Sequence, residues 1–142
     1  MAVFADTEEV YRILGGFFES LIPLPEAALI HKVGGVIEFN LHHPDAQISW
    51  IPEDPAVTGK DFHVVYGTAE EPALLKFDQD ADLANRFWQG RLDLAQALSR
   101  QQIRAIGPLS RAMKLLPSLD RIYPLYPDFV VAQGRPDLVV PS

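Results

Sequence analysis

His42, His43 and Asp45 fall within a four-residue turn, and Asp61 and His63 stand two apart on what reads as one strand face. The first group would be a metal site and the second a general-base pair. Neither spacing supports that chemistry. Adjacent histidines on an extended backbone point to opposite sides, and no zinc-type ligand spacing accompanies them, with His31 the fourth and last histidine. A base pair needs a nucleophile beside it. Ser20, Ser49, Ser99, Ser110, Ser118 and Ser142 lie in no G-x-S-x-G context, and the chain has no cysteine. Gly15-Gly16 and Gly34-Gly35 are not followed by the lysine or third glycine of a phosphate loop. Gly15-Gly16 reads either as a close approach or gate, or as a weak point in a helix. The expectation is a chain with no catalytic residue, no metal and no cofactor, whose His42-His43 turn is solvated.

What the residues do specify is packing. Asp6 or Thr7 caps a first helix with Glu8 and Glu9 in its first turn, and Val10, Leu14, Phe17, Phe18 and Leu21 form its apolar stripe. Pro23 and Pro25 stop it, a short helix follows over 26–32, and Gly34-Gly35 ends that. Then apolar residues alternate. Ile37, Phe39 and Leu41, then Ile48 to Ile51, then Phe62, Val64 and Tyr66, then Leu75 and Phe77 mark four strands. Residues 52–60 read as a polar loop. Asp80 or Asp82 caps a helix over 80–89 in which Leu83 meets Phe87 and Ala84 meets Trp88. A short helix from Asp93 to Leu98, a fifth strand over 102–106, Gly107-Pro108 and a helix over 109–116 follow. The last helix carries Leu109, Ala112, Met113, Leu116 and Leu119, with Pro117 as an interruption.

Strands bunched together and followed by helices predict an α+β fold, with a five-stranded, mainly antiparallel sheet covered on one face by helices. The 142 residues, 48% of them hydrophobic, suit one domain over 1–123 with a Pro-rich apolar tail over 124–142. Trp50, Phe62, Tyr66, Phe77, Phe87, Trp88 and Met113 can be an ordinary packed core or the lining of a cavity; periodicity does not separate the two.

The net charge of −7 argues against nucleic acid, whose phosphates demand a cationic face. It argues equally against a standing electrostatic hold on anionic membranes. The N-terminus carries Asp6, Glu8 and Glu9 where a leader needs positive charge, and no apolar run approaches the roughly 18 residues of a spanning helix. The final VVPS matches no targeting address. The expected location is cytoplasmic.

One run carries a family pattern: Phe77-Asp78, the helix over 80–89, Gly90-Arg91-Leu92, Ala97-Leu98, Ile103, Gly107 and Ala112-Met113-Lys114-Leu115. It resembles the sterol carrier protein family in a single-domain, bacterial-type form. The family often has glycine where Arg100 stands and a polar residue where Pro108 stands. The resemblance implies an apolar tunnel between sheet and helices that holds a lipid, a sterol or an acyl-CoA. It would be lined by Phe39, Trp50, Phe62, Val64, Tyr66, Leu75, Phe77, Leu83, Phe87, Leu98, Ile103, Met113 and Leu116. A tail rich in apolar residues (Leu125, Phe129, Val130, Val131, Leu138, Val139 and Val140) either docks on a protein partner or folds back on its own domain. An accessory subunit that packs on an enzyme through groove and tail is therefore the alternative to a lipid carrier.

Overall fold

The computed structural model describes residues 2–141. Met1 and Ser142, the outer ends of the two expected segments, lie outside the described residues.

The chain opens with a helical run of three pieces: α1 (Thr7–Val10), a π-helical turn (Tyr11–Gly15) and α2 (Gly16–Leu21). The Asp6 carboxylate accepts from the Glu9 amide at 2.9 Å, which satisfies one of the free amides of the first turn. Val10, Ile13, Leu14, Phe17, Phe18 and Leu21 are all buried, so the expected stripe faces the core. Gly15 sits where the Tyr66 ring rests on the helix backbone; a methyl group there would overlap the ring. The glycine pair therefore marks a close approach. After α3 (Ala27–Lys32) the sheet begins.

Its strands are β1 (Val36–His42), β2 (Ala46–Pro52), β3 (Phe62–Tyr66), β4 (Ala73–Asp80) and β5 (Ile103–Ile106), in the order β3-β2-β1-β4-β5. All neighbours are antiparallel except β1 and β4, which run parallel. The alternation decides which face goes inward. Ile37, Phe39 and Leu41 pair across the ladders with Trp50, Ile48 and Ala46 on one side and with Leu75, Phe77 and Gln79 on the other. Glu38, Asn40 and Gln47 turn to the opposite face, where both amides donate to Glu38 at 2.8 and 2.9 Å.

The loop expected over 52–60 contains the one-turn helix α4 (Pro55–Thr58). Beyond β4 come α5 (Ala81–Trp88) and α6 (Leu94–Ser99), the latter capped by Asp93, whose carboxylate accepts from Gln96 N at 3.1 Å. The helix expected over 109–116 is α7 (Leu109–Ala112), a 3-10 turn (Met113–Leu115) and α8 (Leu116–Ile122). The run is broken just before Pro117, which stands in the first turn of α8, where its missing amide hydrogen has no acceptor to serve.

The last segment folds back. Residues 124–142 contain α9 (Leu125–Ala132) and a 3-10 turn (Pro136–Leu138), and Tyr126, Val130 and Leu138 are buried in the same core as Phe17 and Trp88. The Tyr126 hydroxyl donates to Asn85 Oδ1 at 2.6 Å, and the Asn85 and Gln89 amides both donate to the Leu138 carbonyl at 3.0 Å. The fold is α+β, a mostly antiparallel five-stranded sheet with helices packed on one face.

Candidate functional site

A cavity of about 70 Å³ lies between the inner face of the sheet and the helices that follow it. Phe39, Trp50, Phe77, Gln79 and Ile103 form its floor. Phe87 and Trp88 come from α5, and Leu94 and Leu98 from α6. Leu109, Ala112, Met113, Leu115, Leu116 and Leu119 form the roof. Every lining residue except Gln79 is aliphatic, aromatic or methionine. The roof is also surface: Leu109 is 41% exposed and Met113 49%. The space is apolar and opens in part to solvent along this roof.

Of the residues expected to line a tunnel, Phe39, Trp50, Phe77, Phe87, Leu98, Ile103, Met113 and Leu116 come together around this cavity. The other five stand elsewhere. Phe62 is fully buried behind Trp50, ring centroids 5.5 Å apart, and Leu75 is fully buried beside Ile37. Val64 pairs with Trp50 in the ladder. Tyr66 turns away toward the first helical run, where its hydroxyl donates to Glu19 at 2.5 Å and its ring meets Tyr11 edge-on. Burial and the Glu19 carboxylate push the Tyr66 phenol well above its ordinary value. Leu83 borders a polar groove rather than the cavity.

Trp88, Leu94, Leu109, Ala112, Leu115, Leu119 and Gln79 also line the cavity. Trp88 is 2% exposed and meets Phe18 edge-on at 5.1 Å. The signal for Gln79 was the alternation itself: it continues the inward series Leu75, Phe77 by two more residues, and only its polarity hid it.

Two buried polar atoms on lining residues have no partner among the described residues, Gln79 Oε1 and Trp50 Nε1. Each such group costs about 1–3 kcal/mol of desolvation that no bond offsets. Gln79 is 5% exposed and also borders the open polar groove, which His42, Asp78, Asp80, Asp82, Gln101, Gln102 and Arg104 share. In that groove His42 Nε2 lies 2.7 Å from Asp78, and Arg104 lies 3.8 Å from the same carboxylate. His43 lies 3.0 Å from Asp80, and that hydrogen bond, with the surrounding acidic charge, raises its imidazole above the ordinary value. The other histidines are similarly engaged: His63 Nδ1 lies 3.0 Å from Glu53, and His31 Nδ1 lies 3.3 Å from the Asp61 carbonyl. Asp61 reaches this network through its backbone, so the expected spacing with His63 does not make a pair.

This architecture has solved counterparts. The sterol carrier protein domain 2 of Helicoverpa armigera superposes with a TM-score of 0.61 at 23% identity, covering 81% of this chain and 88% of that one. Apo sterol carrier protein 2 from Yarrowia lipolytica gives 0.58 at 16% identity, over 78% and 90%. The sterol carrier protein 2 of Aedes aegypti, in complex with the C16 fatty acid palmitate, gives 0.50 at 15% identity, over 84% and 96%. No protein-family model and no curated protein matches the chain in sequence. The likeness is one of fold, and the fold is sterol-carrier-protein-like. No helix among the described residues is long and apolar enough to cross a membrane.

Proposed function

We propose that this sterol-carrier-protein-like chain binds and carries a hydrophobic molecule, a sterol, fatty acid or fatty acyl-CoA, without transforming it. The observation that carries the reading is an apolar cavity whose roof also exposes the apolar side chains of Leu109, Met113 and Leu116. Burying ligand surface yields about 25 cal/mol per Å², so a chain of methylenes needs no catalytic group to be held. A long ligand needs more room than this partly open cavity offers. The roof is suited to supply it: α7 and the following 3-10 turn span seven residues with no side-chain cap. Lifting them lengthens the cavity toward Leu109 and Met113, and a ligand there covers surface now facing water.

Phe39, Trp50, Phe77, Phe87, Leu98, Ile103, Met113 and Leu116 are the proposed lining. Phe62, Val64, Tyr66, Leu75 and Leu83 support it from behind or from the side. The palmitate complex of the Aedes protein supports a fatty-acid-sized ligand for this fold. The proposed place of work is the cytoplasm. A protein partner reaching residues 124–142 would meet Leu125, Val131 and Val139, the large apolar side chains that segment leaves exposed.

Titration with a fluorescent fatty-acid analogue tests the reading. Saturable binding to the wild type, and at least tenfold weaker binding to Leu98→Trp with unchanged thermal stability, is the expected result. Equal binding by the filled variant would place the ligand elsewhere and end the cavity reading.

A further inference from the structure

Gln79 is the single carboxamide in the cavity wall. It stands at the inward end of β4, opposite Leu41 on one side and Ile103 on the other. A residue at that register faces the apolar space, and the neighbouring inward positions carry Phe77 and Ile103, as an apolar floor requires. Its Oε1 is buried and accepts no hydrogen bond among the described residues. Buried polar groups are satisfied in nearly all folded proteins, by the chain itself, by water or by a ligand. Leucine or methionine would fill the same volume with nothing left unsatisfied, so the amide weakens the empty protein. Its position also matters. The same side chain borders the open polar groove that holds Gln101, Gln102 and Arg104, so it marks where the apolar space meets water.

Resting on the carrier reading above, we infer that Gln79 is a specificity residue: its Oε1 accepts a hydrogen bond from a hydroxyl at the polar end of a neutral amphiphile whose apolar body fills the cavity. A carbonyl oxygen accepts and cannot donate, so the partner must carry an O–H or N–H. A sterol or a long-chain alcohol can donate to Oε1; an alkane cannot, and an ether or an ester could only accept from the Nε2 hydrogens of the same amide and would leave Oε1 unpaired. Substituents beyond the hydroxyl extend into the groove beside Arg104.

Displacement of a fluorescent stearate analogue by 1-dodecanol and by dodecyl methyl ether tests this directly. The two competitors share a chain and differ in the donor. The wild type is expected to prefer the alcohol by about tenfold, the equivalent of about 1.4 kcal/mol. Gln79→Leu should lose that preference while still binding the stearate probe, and its melting temperature should rise. The wild-type comparison needs no variant, and Gln79→Met supplies a second apolar replacement if the leucine variant folds poorly. Equal displacement by alcohol and ether, or a preference that survives both replacements, overturns the role of Gln79 and leaves the carrier reading standing. A probe that does not bind the wild type at all sinks the carrier reading and this inference with it.

Discussion

At the scale of single residues, the fold depends on a few contacts that tolerate no substitute. Gly107 has φ +116, and a methyl group there would run into the Leu74 carbonyl of β4. Gly107→Ala should therefore destabilise by about 2–4 kcal/mol, read as a lower midpoint in urea. Arg135 ties the two ends of the chain together. It donates to the Val3 carbonyl at 2.8 Å, to Asp137 and to the Glu9 carboxylate. Burial pushes the Glu9 carboxyl up, yet the Ala5 amide and Arg135 outweigh it and hold the group below its ordinary 4.5. A carboxylate lowered in the folded state adds stability above its unfolded value and loses it as pH falls through the folded one. Thermal melts should accordingly show a drop below about pH 4.5, and Glu9→Gln should flatten that limb. An acid limb unchanged by the substitution would show that other carboxylates carry it.

At the scale of elements, the strands were the most legible part of the sequence. Period-two alternation placed Ile37, Phe39, Leu41, Phe62, Val64, Leu75 and Phe77 on one face, and the ladders pair them as that alternation requires. Hydrogen-bond direction between β1 and β4 was not legible, because alternation is the same in parallel and antiparallel strands. Cavity against packed core was not legible either: Phe62 and Leu75 obey the same pattern as Phe39 and Phe77, and only the position of α5 and the roof decides which of them meets empty space. The run 124–142 left two readings open, docking on a partner or folding back on its own domain, because its prolines suit either. Pro124, Pro127 and Pro136 in fact stand at helix starts, where the ring costs no hydrogen bond. The consequence can be measured. Truncation after Tyr123 removes Tyr126, Val130 and Leu138 from the core and leaves Asn85 and Gln89 buried without their partners. Such a chain is expected to lose its cooperative thermal transition. A truncated protein that melts as sharply as the full one would show that α9 only decorates the surface.

At the scale of the whole molecule, the carrier proposal rests on the apolar space between sheet and helices. Every histidine is engaged with a carboxylate or a backbone carbonyl, and the space between sheet and helices is lined by aliphatic, aromatic and methionine side chains and one carboxamide. Charge is arranged unevenly as well. Residues 86–121, which build α6, β5 and the cavity roof, hold seven of the twelve lysines and arginines and two of the nineteen acids, a local charge of +5 within a chain of −7. That arrangement puts Arg111 and Lys114 in the same stretch of roof as the exposed Leu109 and Met113. Native mass spectrometry of the purified protein, followed by organic extraction, asks the central question most directly. A near-stoichiometric adduct of lipid mass, lost on extraction and absent from Leu98→Trp, is the expected result. A bare polypeptide mass that stays bare after incubation with fatty acids, sterols and long-chain alcohols would contradict the carrier function.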